Sequence, residues 1–66
     1  MKLIVNGEEK SFDEGVTLAQ VIEKLGIADK VMAAAVNMEV VKKEKWSDFV
    51  PKEGDKIELL HFVGGG

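Results

Sequence analysis

One stretch of this chain, Thr17 to Leu25, carries a helical pattern with both a start and a stop, and the rest must be built around it. Leu18, Val21, Ile22 and Leu25 fall at i, i+3, i+4 and i+7, which aligns them in one apolar stripe. Gln20, Glu23 and Lys24 take the wet face. Thr17 can cap the N-terminus, and Gln20 three residues on completes a capping box. Gly26 follows as a left-handed C-terminal cap with apolar Ile27 behind it. A short helix with a single apolar stripe needs one apolar face to cover it, and a sheet is the compact solution.

The flanking sequence supplies strands. Residues 2–12 predict a hairpin, because Asn6-Gly7 separates β-branched Lys2–Val5 from a returning Glu8–Phe12, and both turn residues tolerate positive φ. The alanines of residues 32–37 have helical propensity. They predict a strand instead, since the segment is short and the turn Asn37-Met38-Glu39 leads into Val40-Val41 as a second hairpin. Small alanines also suit a strand lying close against a helix. Residues 43–51 predict a turn of helix or 3₁₀, Glu53-Gly54-Asp55 a turn, and Lys56 to Val63 the last strand. The order β-β-α-β-β-β gives an α+β fold: a mixed sheet of four or five strands packed on one main helix, the β-grasp or ubiquitin-like architecture. In it the last strand is central and parallel to the first. The expected division is a β-grasp domain over 1–62 and a flexible glycine-rich tail over 63–66.

Composition excludes most chemistry. The 66 residues make one domain, and a chain this short buries only ~60% of the surface its unfolded form exposes. There is no cysteine, so disulfides, thiolate metal sites and cysteine nucleophiles are excluded, and one histidine cannot build a His-rich metal site. The serines are Ser11 and Ser47, and no P-loop or Rossmann glycine pattern occurs. The chain is therefore read as having no catalytic groups of its own and no stably bound cofactor. Every basic side chain is lysine and the net charge is −3, so no nucleic-acid partner is expected. The run Lys42-Lys43-Glu44-Lys45 reads as a solvated loop, Trp46 as a cap on a thin core beside Phe12 and Phe49, and His61 as a structural or exposed residue rather than a base. No apolar run approaches ~20 residues, so no membrane span is expected. Met1 leads directly into a strand pattern without signal-peptide regions, so the expected address is cytoplasmic and the expected state, alone, a monomer.

The sequence closes Val63-Gly64-Gly65-Gly66. Glycine loses the most conformational entropy on ordering, and without Cβ it can enter a channel too narrow for other residues. Extended, Val63 to Gly66 reaches ~14 Å. The α-carboxylate is ionised at neutral pH and can attack the α-phosphate of ATP to give an acyl adenylate, which a sulfur or nitrogen nucleophile can open. Alternation along the last strand puts Ile57, Leu59 and His61 on one face and Glu58, Leu60 and Phe62 on the other. With Ile57 and Leu59 inward, Leu60 and Phe62 face out. Ile4, flanked by inward Leu3 and Val5, is expected beside them, so that Ile4, Leu60, Phe62 and Val63 form a partner-docking surface next to the tail.

These features together resemble the ThiS family, the small sulfur-carrier proteins of thiamine biosynthesis. The resemblance runs over nearly the whole chain, on Asn6-Gly7-Glu8, Thr17-Leu18, Ala35-Val36-Asn37, Val40-Val41, Trp46, Gly54-Asp55-Lys56-Ile57-Glu58 and Val63-Gly64-Gly65-Gly66. One departure is Met38, where the family usually has glycine. The resemblance implies that a ThiF-like partner uses ATP and magnesium to adenylate Gly66. A sulfur donor protein then supplies sulfur through a persulfide, the terminus becomes a thiocarboxylate, and a ThiG-like thiazole synthase takes the sulfur. Gly64 and Gly65 would thread the partner's channel. The rival readings are a MoaD-like carrier for molybdopterin and a ubiquitin-like protein modifier.

Overall fold

The computed structural model describes residues 1–62. The elements are strands β1 (Lys2–Val5) and β2 (Glu8–Ser11), helix α1 (Leu18–Lys24), strands β3 (Val31–Val36) and β4 (Glu39–Val41), a 3₁₀ turn at Lys43–Lys45, and strand β5 (Lys56–His61). They form one five-stranded sheet in the order β2-β1-β5-β3-β4, with α1 on one face. β5 runs parallel to β1 and antiparallel to β3. This is the mixed sheet on one helix that the sequence predicts.

Both hairpins turn through left-handed backbone. Asn6 and Gly7 have φ of 49° and 83°, the geometry a two-residue type I′ turn requires. The second turn uses Asn37 and Met38, at 50° and 72°. Asparagine accepts this region, whereas methionine pays for its Cβ against the following carbonyl oxygen.

The helix begins at Leu18 because all four of its early N–H groups find acceptors. Thr17 Oγ1 accepts from the Gln20 N–H, and Gln20 Oε1 accepts from the Thr17 N–H, completing the capping box. The Leu18 N–H donates to the Phe49 carbonyl at 2.7 Å and the Ala19 N–H to the Trp46 carbonyl at 3.0 Å. Segment 46–49 thus pins the start of the helix, satisfying donors that would otherwise be orphaned. At the other end Gly26 takes φ 75° and donates its N–H to the Glu23 carbonyl.

The core lies between α1 and the inner face of the sheet. Leu18, Val21 and Ile22 meet Leu3, Val5, Ala34, Val36, Ile57 and Leu59, with Val16, Val31 and Trp46 closing the margins. Trp46 is buried, and its indole N–H donates to the Val41 carbonyl at 2.8 Å, so it ties the loop after β4 back to that strand. Phe12 and Phe49 pack against this cluster half-buried.

Three expectations need correction. Only Ala34 of the three alanines faces the helix; Ala33 and Ala35 lie on the outer face, because a strand alternates and cannot present three successive residues to one side. The third strand also begins and ends one residue earlier than 32–37. The last strand ends at His61, and the Val63 end expected for it lies outside the described residues.

Met38→Gly is expected to stabilise the fold, since it removes a strain of about 1 kcal/mol at that turn. A gain of that size raises Tm by about 4–8 °C in a domain this small, which a thermal melt would read. An unchanged or lowered Tm would contradict a strained second turn.

Candidate functional site

The candidate site is the C-terminal end of β5 and the outer face of the sheet around it. Ile57 and Leu59 point into the core, while Leu60 and Phe62 are 60% and 65% exposed. Leu60 lies opposite Ala33 on β3, and Ala35 lies between Glu58 on β5 and Val40 on β4. Val40 is 76% exposed. The two alanines keep this part of the face low between taller Leu60 and Val40. The result is a shallow depression of about 360 Å³ whose lining includes Asn6, Ala33, Ala35, Val40, Glu58 and Leu60.

A bulge shapes the same corner. Between the pairs Val31–His61 and Ala33–Leu60, β3 carries one extra residue, Met32, which is exposed. Beyond it the Phe62 N–H donates to the Lys30 carbonyl at 3.0 Å, holding Phe62 against the start of β3. His61 is half-buried, with its Nδ1 3.3 Å from the Phe62 carbonyl oxygen.

The structure separates Ile4 from Leu60 and Phe62. Ile4 does face outward, half-buried, but it pairs with Lys56 at the opposite end of β5. Leu60 is four residues further on, about 13 Å along the strand. The expected grouping assumed that β1 runs beside the whole of β5, whereas it accompanies only its first half. Leu60 instead pairs with Ala33 and borders the same depression as Val40, while Phe62 bonds to Lys30 just before β3. Strict alternation within the second hairpin would have pointed to Ala33, Ala35 and Val40, but the Met32 bulge leaves no mark in the sequence. Val63, Gly64, Gly65 and Gly66, the remaining expected site residues, lie outside the described residues.

Charge is dispersed. The ion pairs among described residues are Lys2–Glu9 at 3.2 Å and Lys10–Glu8 at 3.5 Å, both on the β1–β2 side and exposed, where such pairs contribute little. Lys42, Lys43 and Lys45 are solvent-exposed. Among the described residues no group of three or more His, Asp or Glu side chains is arranged to hold a metal. No helix among the described residues is long and apolar enough to cross a membrane.

A protein-family model described as the ThiS family matches residues 3–66. The chain belongs to the ThiS family. The match takes in both the described fold and the terminal glycines. The sulfur carrier protein ThiS of Escherichia coli is 27% identical over 66 residues, with all of both chains covered. A crystal structure of the thiamine biosynthesis protein ThiS from Geobacter metallireducens superposes with a TM-score of 0.77 at 32% identity, again over all of both chains. A thiazole synthase of Paramagnetospirillum magneticum is 36% identical over 66 residues, all of this chain but 20% of the synthase. The chain thus spans about a fifth of the length of the thiazole synthases it matches.

Leu60 and Phe62 are exposed on the outer face, whereas Leu59 is part of the core. Phe62→Asp and Leu60→Asp are each expected to change unfolding free energy by no more than about 1 kcal/mol, the span of strand propensity at an exposed site. Leu59→Asp, one residue away but facing the core, should unfold the domain. Denaturant melts of the three variants check the division of β5 into a structural and a free face.

Proposed function

We propose that this chain is a sulfur carrier of thiamine biosynthesis whose reactive group is the Gly66 carboxylate. The observation that carries the reading is the family match, which continues past the described residues through Gly64, Gly65 and Gly66. The full-length coverage of the Escherichia coli carrier supports it. So does the fold, which superposes on a ThiS crystal structure over the whole of both chains.

In this reading the chain is a cosubstrate. A ThiF-like enzyme binds MgATP, and a Gly66 carboxylate oxygen attacks the α-phosphate, expelling pyrophosphate and forming the acyl adenylate. The outer sulfur of a persulfide on a sulfur donor protein attacks the acyl carbon and AMP leaves, giving an acyl disulfide. A second thiol on the partner then attacks the donor's sulfur, forms a disulfide with it and releases the terminus as a thiocarboxylate. A ThiG-like thiazole synthase receives the sulfur, and an oxygen atom from the acceptor or from water takes its place on the acyl carbon, which regenerates the carboxylate. Gly64 and Gly65 thread the partner's channel because they lack side chains. The two longer thiazole synthases carry a segment matching this whole chain, which supports a synthase as the recipient. Joining carrier and acceptor in one chain raises their effective concentration without any new contact.

Docking falls to Leu60, Phe62 and Val63, together with Met32, Ala33 and Val40 around the depression. Ile4 is too distant to share it. An exposed apolar surface at Leu60 and Val40 with Glu58 beside it suits a moderate, reversible interface, as a carrier that changes partners needs.

Mass spectrometry of the protein from its own host is expected to show Gly66 with one oxygen replaced by sulfur. Gly66 found joined to lysines of other proteins would favour a modifier, and an unmodified terminus after incubation with ATP and the cognate activating enzyme would sink the carrier reading. Deleting Gly66 should abolish adenylation without changing the melt. Phe62→Asp should raise KM for the activating enzyme by roughly tenfold or more, the loss of one well-placed apolar anchor, while Ile4→Thr should leave it unchanged. Equal effects of the two substitutions would move the docking surface back onto β1.

A further inference from the structure

The strand that leads into residues 63–66 is supported differently on its two sides. On one side β3 follows it to the Val31–His61 pair, and the Phe62 N–H reaches the Lys30 carbonyl. On the other side β1 pairs with it only twice, Ile4 with Lys56 and Val5 with Ile57. The chain then turns away at Asn6-Gly7. Past Ile57 no described strand lies along that flank.

The Asn6 side chain fills the vacated place. Its backbone N–H donates to the Ile57 carbonyl at 2.8 Å. Its Oδ1 accepts the Leu59 N–H at 2.8 Å, and its Nδ2 donates to the Leu59 carbonyl at 3.2 Å. One amide therefore satisfies both backbone groups of Leu59, as a neighbouring strand would. Asn37 makes a similar clamp at the far end of the same strand. Its N–H donates to the Lys56 carbonyl at 2.8 Å, its Oδ1 accepts the Lys56 N–H at 3.0 Å, and its Nδ2 donates to Asp55 Oδ1 at 3.0 Å. Both asparagines sit in hairpin turns at nearly equal φ, 49° and 50°. The clamps resemble each other chemically, but only the Asn6 clamp lies next to the root of the tail.

We propose that Asn6 is a positioning residue for activation of the C-terminus: its amide fixes the direction in which β5 delivers Phe62 and the residues after it, while leaving that flank open to the activating partner. The proposal rests on the sulfur-carrier reading above. A continued β1 would hold β5 as firmly, but its backbone would cover that flank of β5. A single amide provides the two hydrogen bonds without the strand. Phe62 lies about 10 Å beyond Leu59, so a swing of about 10° at the clamp moves it by about 2 Å. Misplacements of about 1 Å are enough to cost a positioned reaction much of its rate.

The test compares Asn6→Gly with Asn37→Gly. Glycine keeps the positive φ of each turn, so each variant removes a clamp and spares the hairpin. Each is melted, then titrated against the cognate adenylating enzyme with ATP–pyrophosphate exchange as the readout. Both should remain folded with lowered Tm. Asn6→Gly should lose roughly tenfold in kcat with KM within about twofold, because docking is intact and delivery is not, while Asn37→Gly keeps both constants. If Asn6→Gly fails to fold, Asn6→Asp takes its place with the same expectation, since it keeps the acceptor for the Leu59 N–H but sets an oxygen against the Leu59 carbonyl. Unchanged kcat in the Asn6 variant, or the same loss in both glycine variants, overturns the assignment of Asn6 alone. No exchange with the wild-type chain overturns the carrier reading and this assignment with it.

Discussion

The structure depends on the insertion of β5 between two hairpins that otherwise do not pair. The sheet order β2-β1-β5-β3-β4 puts each hairpin on one side, and only β5 hydrogen-bonds to both. It is also the last strand in the chain, so the sheet closes through pairings of long sequence separation, which form late and slowly compared with local hairpins. Its inner residues Ile57 and Leu59 complete the surface that the Leu18, Val21 and Ile22 stripe covers. Without β5 each hairpin would be an isolated two-stranded unit, marginal in water. The asparagine clamps at Lys56 and Leu59 hold the strand at both ends of its short run against its neighbours.

The same strand divides structure from function by alternation. Residues pointing inward are committed to the core, and those pointing outward border the depression made by Ala33, Ala35 and Val40. On the sulfur-carrier reading the reacting group is the chain end and the catalytic groups belong to the partner, so a chain with no cysteine, no arginine and one histidine suffices. What remains for the domain is to hold one strand rigidly, expose an apolar face beside it and aim the residues that follow.

Most of the architecture was legible because its signals are local. Thr17, Gln20 and Gly26 mark the helix through hydrogen bonds made within a few residues, and Asn6-Gly7 marks a turn through backbone sterics alone. Trp46 was legible as a core cap from size and hydrophobicity. Its bond to the Val41 carbonyl was not, since a donor's partner depends on where a loop folds back. The grouping of Ile4 with Leu60 and Phe62 failed for a similar reason. Alternation says which face a residue occupies, but the register between strands says where along that face it sits. The β1–β5 register follows from packing of the core and from the short length of β1.

The element order, the two tight turns, the capped helix, the inward and outward faces of β5 and membership in a carrier family could all be read from the chain alone. Each of these rests on stereochemistry or periodicity within a short window, or on residues matched in order along the whole chain. It took the packed sheet to establish that β1 leaves β5 after two pairs, that Met32 bulges opposite the end of β5, and that Asn6 takes the place of the missing strand. These depend on contacts between residues as far apart as Asn6 and Leu59, whose relative position is fixed only when the whole core packs.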